Sequence, residues 1–121
     1  MQYMLLIYDD EATLEELPAA ETDALLAAYG AFTQELHDRG AYRASGRLRP
    51  TAAATAVRVR NDEQIVTDGP FAETKEQLGG YYLIEAESLD EALAWAAKVP
   101  SAHYGTIEVR PIWPTPVPAG A

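Results

Sequence analysis

Met1 to Tyr8 carries apolar side chains on both faces of a strand, with Tyr3, Leu5 and Ile7 on one side and Met4, Leu6 and Tyr8 on the other. Successive strand residues point to opposite faces, so a segment of this kind belongs in a sheet that is covered twice. Tyr81 to Ala86 repeats the pattern. The helices of the chain must therefore be counted against the faces they are able to cover.

Two main helices are legible. After Glu21, the residues Leu25, Tyr29, Phe32 and Leu36 form the stripe of an amphipathic helix, and Gly40 is placed to close it. Ala92, Trp95, Ala96 and Val99 mark a second buried face, opened by Ser88 and Glu91 as a capping box and stopped by Pro100. The acidic segment from Asp9 to Asp23 is broken by Pro18, and Thr13 with Glu16 predicts a capping box for one short helical turn.

Between the helices, Ala41 to Leu48 reads as a strand that ends before Pro50. Val57 and Val59 alternate with Arg58 and Arg60, Asn61-Asp62 supplies a turn, and Ile65 to Thr67 returns, which together predict a hairpin. Ile107, Val109 and Pro111 form one face of a last strand, with Glu108 and Arg110 on the other. Residues 1–113 make a single domain, and 114–121, with Pro114, Pro116 and Pro118, a proline-rich tail.

The order strand, helix, strand, hairpin, strand, helix, strand is close to two split βαβ units: an α+β, ferredoxin-like sandwich with an added hairpin. Two helices cover one face of such a sheet. The expected cover for the other is a second copy of the chain, giving a homodimer with pocket space between the two sheets.

Composition narrows the function. With 121 residues the chain can bury a single core, and with no cysteine it has neither disulfides nor a thiol nucleophile. The net charge of −10 is uneven, because residues 1–38 hold nine acids and no Lys or Arg, against ten acids and nine bases in the remainder. Such a surface repels phosphate backbones and anionic membranes, so direct contact with nucleic acid or a membrane is not expected. The first residues lack a basic region before their apolar run, and no stretch reaches membrane-spanning length, so a cytoplasmic location is expected. Two separated histidines, no phosphate-cradling glycine loop and no nucleophile elbow predict no metal and no cofactor.

The run Asp68-Gly-Pro-Phe-Ala-Glu-Thr-Lys-Glu-Gln-Leu-Gly-Gly-Tyr-Tyr82 is the least scaffold-like part of the chain. Gly69-Pro70 fixes a corner that aims Phe71, and Thr74 with Gln77 predicts a capped helical turn carrying Lys75 and Glu76 and ended by Gly79. Asp68 is a candidate general acid or base, or else a turn former whose carboxylate accepts backbone N–H groups. His103 is the second candidate catalytic group, in a loop before the last strand. Candidate ligand contacts are Arg47, whose fork suits an anion, together with Phe71, Lys75, Glu76 and Tyr82. The simpler fates are ion pairs for Arg47, a solvated turn for Lys75 and Glu76, and core packing for one of Tyr81 and Tyr82.

Asp68-Gly69-Pro70-Phe71, Glu73 to Tyr81, Glu108-Val109-Arg110-Pro111 and the opening Tyr3 to Tyr8 resemble the DGPF branch of the YCII-related proteins over nearly the whole chain. The resemblance implies a dimeric α+β barrel with a small-molecule pocket. The His and Asp pair described for the founding members is not carried over, because His37 does not match its position. Some relatives are similar to segments encoded beside or fused to extracytoplasmic-function sigma factors. The resemblance therefore implies a second reading, a non-catalytic partner of a sigma factor in transcription.

Overall fold

The computed structural model describes residues 1–116. Six strands and three α-helices follow one another as β1 (Gln2–Asp9), α1 (Glu11–Glu15), α2 (Ala19–Asp38), β2 (Tyr42–Arg47), β3 (Thr55–Arg60), β4 (Glu63–Asp68), β5 (Gln77–Glu85), α3 (Leu89–Lys98) and β6 (Thr106–Pro111). Short 3-10 turns at Thr51–Ala53 and Pro100–His103 complete the description. Strands β2, β5, β1 and β6 form one antiparallel sheet in that order, and β3 pairs only with β4. Without the β3–β4 hairpin this is the ferredoxin-like order, so the α+β sandwich with an added hairpin is what the chain forms.

The core lies under the helices. Tyr3, Leu5 and Ile7 of β1 alternate inward with Tyr82 and Ile84 of β5, against Phe32 and Leu36 of α2 and Ala92, Trp95 and Ala96 of α3. Phe32 presents edge-on geometry to both Tyr82 and Trp95, with ring centroids 5.1 and 6.2 Å away. Leu5, Leu36 and Ile84 are fully buried, each worth about 1.5–3 kcal/mol of transfer free energy. The opposite parity, with Met4, Leu6 and Tyr8 of β1 and Leu83 of β5 half-buried, faces away from both helices.

Turn chemistry explains most boundaries. Asn61 and Asp62 both have positive φ, 52° and 63°, as a tight hairpin turn requires. Ser88 accepts from the Glu91 amide and starts α3. Two local expectations fail. The first short helix is capped by Asp10, whose side chain accepts from the Ala12 amide, and not by Thr13. No helical turn forms at 74–79: Thr74 donates to the Glu76 carbonyl, Gln77 donates back to the Thr74 carbonyl, and β5 then takes in Gly79. A ladder to β1 and β2 outweighs one isolated turn there.

Pro114 and Pro116 lie outside regular structure, and the rest of the proline-rich tail, 117–121, lies outside the described residues. Among the described residues no helix is long and apolar enough to cross a membrane.

Candidate functional site

The inward parity of β1 does not end with Ile7. Its next position is Asp9, only 8% exposed, so the strand carries a carboxyl group into the helix-covered side of the sheet. Its Oδ1 has no hydrogen-bond partner among the described residues. Burial pushes the Asp9 carboxyl above the usual carboxylate range, the Ser101 hydroxyl beside it pulls the other way, and the Glu76 carboxylate raises it again. A buried carboxyl with a free oxygen is costly for a scaffold and useful for moving a proton.

A hydroxyl relay approaches Asp9 from the helices. Tyr29 of α2 shares a hydrogen bond with Ser101 (2.5 Å), and Ser101 is buried. Burial is the main reason that the Tyr29 phenol is pushed up to about 12, so it stays protonated at any ordinary pH. Tyr82 is held separately by Thr33 at 2.7 Å, and its phenol is also raised by burial. Thr33 in turn donates to the Tyr29 carbonyl, which ties both tyrosines to the same turn of α2.

These groups line a cavity of about 500 Å³ between the sheet and the N-terminal half of α2, walled on the helix side by Leu14, Leu25 and Leu26. Part of its floor is bare backbone at Gly79 and Gly80. The β1–β5 register shifts between Ile7 and Tyr8, leaving Gly79 as the extra residue of a bulge, and Gly80 lies opposite Arg47 on β2 and Ile7 on β1. A Cβ at Gly80 would meet the Gly46 carbonyl at 2.8 Å, so glycine is required there. At Gly79 a Cβ would reach 3.9 Å from Asp9 Oδ2, taking up space that is now open. One side of the mouth is tied down by Glu11, whose two carboxylate oxygens accept from the Thr51 amide (2.8 Å) and hydroxyl (2.7 Å). Within the chain the cavity therefore opens on the helix-covered side of the sheet.

Of the residues singled out from the sequence, Arg47 and Tyr82 line this cavity. Glu76 lies near enough to act on Asp9 and accepts from Thr106. Asp68, Phe71, Lys75 and His103 are exposed and take no part in the lining. The Asp-Gly-Pro-Phe corner closes the hairpin: Asp68 pairs with Thr55 and the Gly69 amide donates to the Ala54 carbonyl. Phe71 is 83% exposed. Sequence reasoning missed Asp9, Tyr29 and Ser101. For Asp9 the signal was present, because it holds the next inward position after Tyr3, Leu5 and Ile7.

Comparison with known proteins agrees with this architecture. The YCII-related domain matches residues 1–116. An uncharacterised protein of Rhizobium meliloti (strain 1021) is 41% identical over 114 residues, spanning 93% of this chain and 92% of the relative. Among solved structures, 5-chloro-2-hydroxyhydroquinone dehydrochlorinase from Burkholderia phenoliruptrix AC1100, in complex with 2,5-dihydroxybenzoquinone, superposes with a TM-score of 0.54. It is 18% identical, over 93% of this chain and 94% of that one, a likeness of fold.

Proposed function

This chain belongs to the YCII-related domain family, and we propose that it binds a small molecule in the cavity beside Asp9 and exchanges a proton with it there. The buried Asp9 carboxyl, which lines the cavity with its Oδ2 nearer Gly79, carries this reading. Asp9, and not Asp68, is the acid–base group: as a carboxylate it accepts a proton from an acidic O–H or C–H of the ligand, and as the acid it returns that proton. Tyr29 and Ser101 hold the neighbouring hydroxyls in place. The dehydrochlorinase complex, a ferredoxin-like chain holding a hydroxylated ring, supports a small-molecule role.

Gly79→Val tests the reading, since it fills the floor next to Asp9 without touching the core. Loss of small-molecule binding with an unchanged circular dichroism spectrum is expected; unaltered binding would place the ligand elsewhere.

The same reading includes a homodimer, supported by the half-buried Met4, Leu6 and Leu83 on the face that neither helix covers. The alternative, a non-catalytic partner of an extracytoplasmic-function sigma factor, would use the exposed Glu15, Glu16, Glu21 and Asp23. Of the acidic segment, Asp9 is buried, Asp10 caps α1 and Glu11 is bonded to Thr51. Those three acids serve the chain itself, which favours the pocket reading over a docking role for them.

A further inference from the structure

The cavity is bipolar. Asp9 stands on β1, while Arg47 and Arg49 line the same cavity from the β2 side. Arg47 pairs directly with Gly80, and Gly80 with Ile7, so all three share the helix-covered face on which Asp9 lies. Two inter-strand spacings, about 10 Å, separate β2 from β1 across the glycine floor.

The chain has a net charge of −10, and Arg43, Lys98 and Arg110 each find a carboxylate. Arg47 and Arg49, like Arg39, Arg58, Arg60 and Lys75, have no ion-pair partner among the described residues, and of these six only Arg47 and Arg49 line the cavity. Glu11, the nearby acid that lines the cavity, spends both oxygens on Thr51, and Glu15 is exposed at the rim. Two guanidinium forks without ion-pair partners at one end, a buried carboxyl whose Oδ2 faces the glycine floor at the other, and leucine walls between them describe the outline of a molecule.

We infer that the ligand of this cavity is a small hydroxy acid: its ionised carboxylate is held by Arg47 and Arg49, its apolar body crosses Gly79 and Gly80, and its hydroxyl or enol O–H donates to the Asp9 carboxylate through Oδ2, the oxygen nearer Gly79. The inference rests on the pocket reading above and adds the class of ligand. A planar guanidinium matches a carboxylate in two-point geometry, which a single ammonium does not. A neutral O–H satisfies Asp9, whereas a second anionic group at that end would meet its charge and that of Glu76.

The test is an amide chemical-shift titration of the full chain with 4-hydroxybenzoate, its methyl ester and unsubstituted benzoate as probes. The acid is expected to bind at least about tenfold more tightly than the ester, with shifts at Gly79, Gly80 and Arg47. In Arg47→Met/Arg49→Met that preference should vanish while ester affinity is kept, and Arg47→Lys/Arg49→Lys should recover part of it. Benzoate should bind more weakly than 4-hydroxybenzoate. Equal affinity for acid and ester in the wild type would overturn the inference and leave the pocket reading standing. So would an acid preference that survives in the double methionine variant. If no probe at millimolar concentration moves the cavity amides, the pocket reading falls with it.

Discussion

Gly105 lies flush against Asp9: a Cβ at position 105 would overlap both the Tyr8 carbonyl oxygen and Asp9 Oδ1. The β6 end of the site is thus closed by backbone, and Asp9 cannot turn that way to reach water. Gly105→Ala should cost about 1–3 kcal/mol by overpacking, because a carbonyl in the central strand β1 has nowhere to move. Thermal unfolding measures this, and an unchanged midpoint would mean that β1 and β6 separate more easily than their ladder implies.

The raised Asp9 carboxyl makes a signed statement about stability. Its folded value lies above the ordinary 3.8, so between the two the folded chain holds a proton that the unfolded chain has released. The unfolded chain then gains stability as the pH rises. Asp9→Asn, which never ionises, should match the wild type most closely below pH 3.8 and become relatively more stable as pH rises through the folded value. Denaturant midpoints for the two proteins across pH 3 to 8 check this, and an advantage that shrinks with rising pH would refute it.

Tyr29 has the same sign at the alkaline end. With its phenol pushed up from 10.0 to about 12, the folded chain keeps that proton while the unfolded chain loses it, and stability declines over the interval. A spectrophotometric tyrosine titration should show a late-ionising group that disappears in Tyr29→Phe. Ser101→Ala removes the hydroxyl partner of a part-buried phenol and should cost about 1–3 kcal/mol.

The uncovered face of the sheet makes the homodimer testable. Leu6→Glu with Leu83→Glu places two carboxylates where the second copy would sit, while Leu5 and Ile84 keep the core on the other parity. Sedimentation of the wild type should report a dimer and that of the double variant a folded monomer. A wild-type monomer would remove the partner copy from the proposed function.

The fold was legible because its signals are local and periodic. Leu25, Tyr29, Phe32 and Leu36 marked α2, Ser88 opened α3, and Asn61-Asp62 placed the hairpin turn. The site was less so. The Asp68 to Tyr82 run stands out in sequence by its turn residues and charges, yet half of it is hairpin corner and bend. Arg47, Tyr82 and the paired glycines did reach the cavity. What joins Asp9 to Ser101 and Tyr29 is separation in sequence closed by tertiary packing, which no window of residues contains. The sequence pattern places Gly79 at the end of a helical turn, yet its place is a bulge in β5, since pairing with β1 sets its conformation.

The β3–β4 ribbon stands apart from all of this. It hydrogen-bonds as a two-stranded sheet of its own and shows Val57, Val59, Ile65 and Val66 to solvent, all at least 45% exposed. It is anchored at its base, where Gly69 meets Ala54, and the main sheet closes through β2 and β5 without it. Descendants of this scaffold can therefore lengthen, shorten or redecorate the ribbon while the cavity and its floor persist unchanged, so diversity within the group should gather in this appendage.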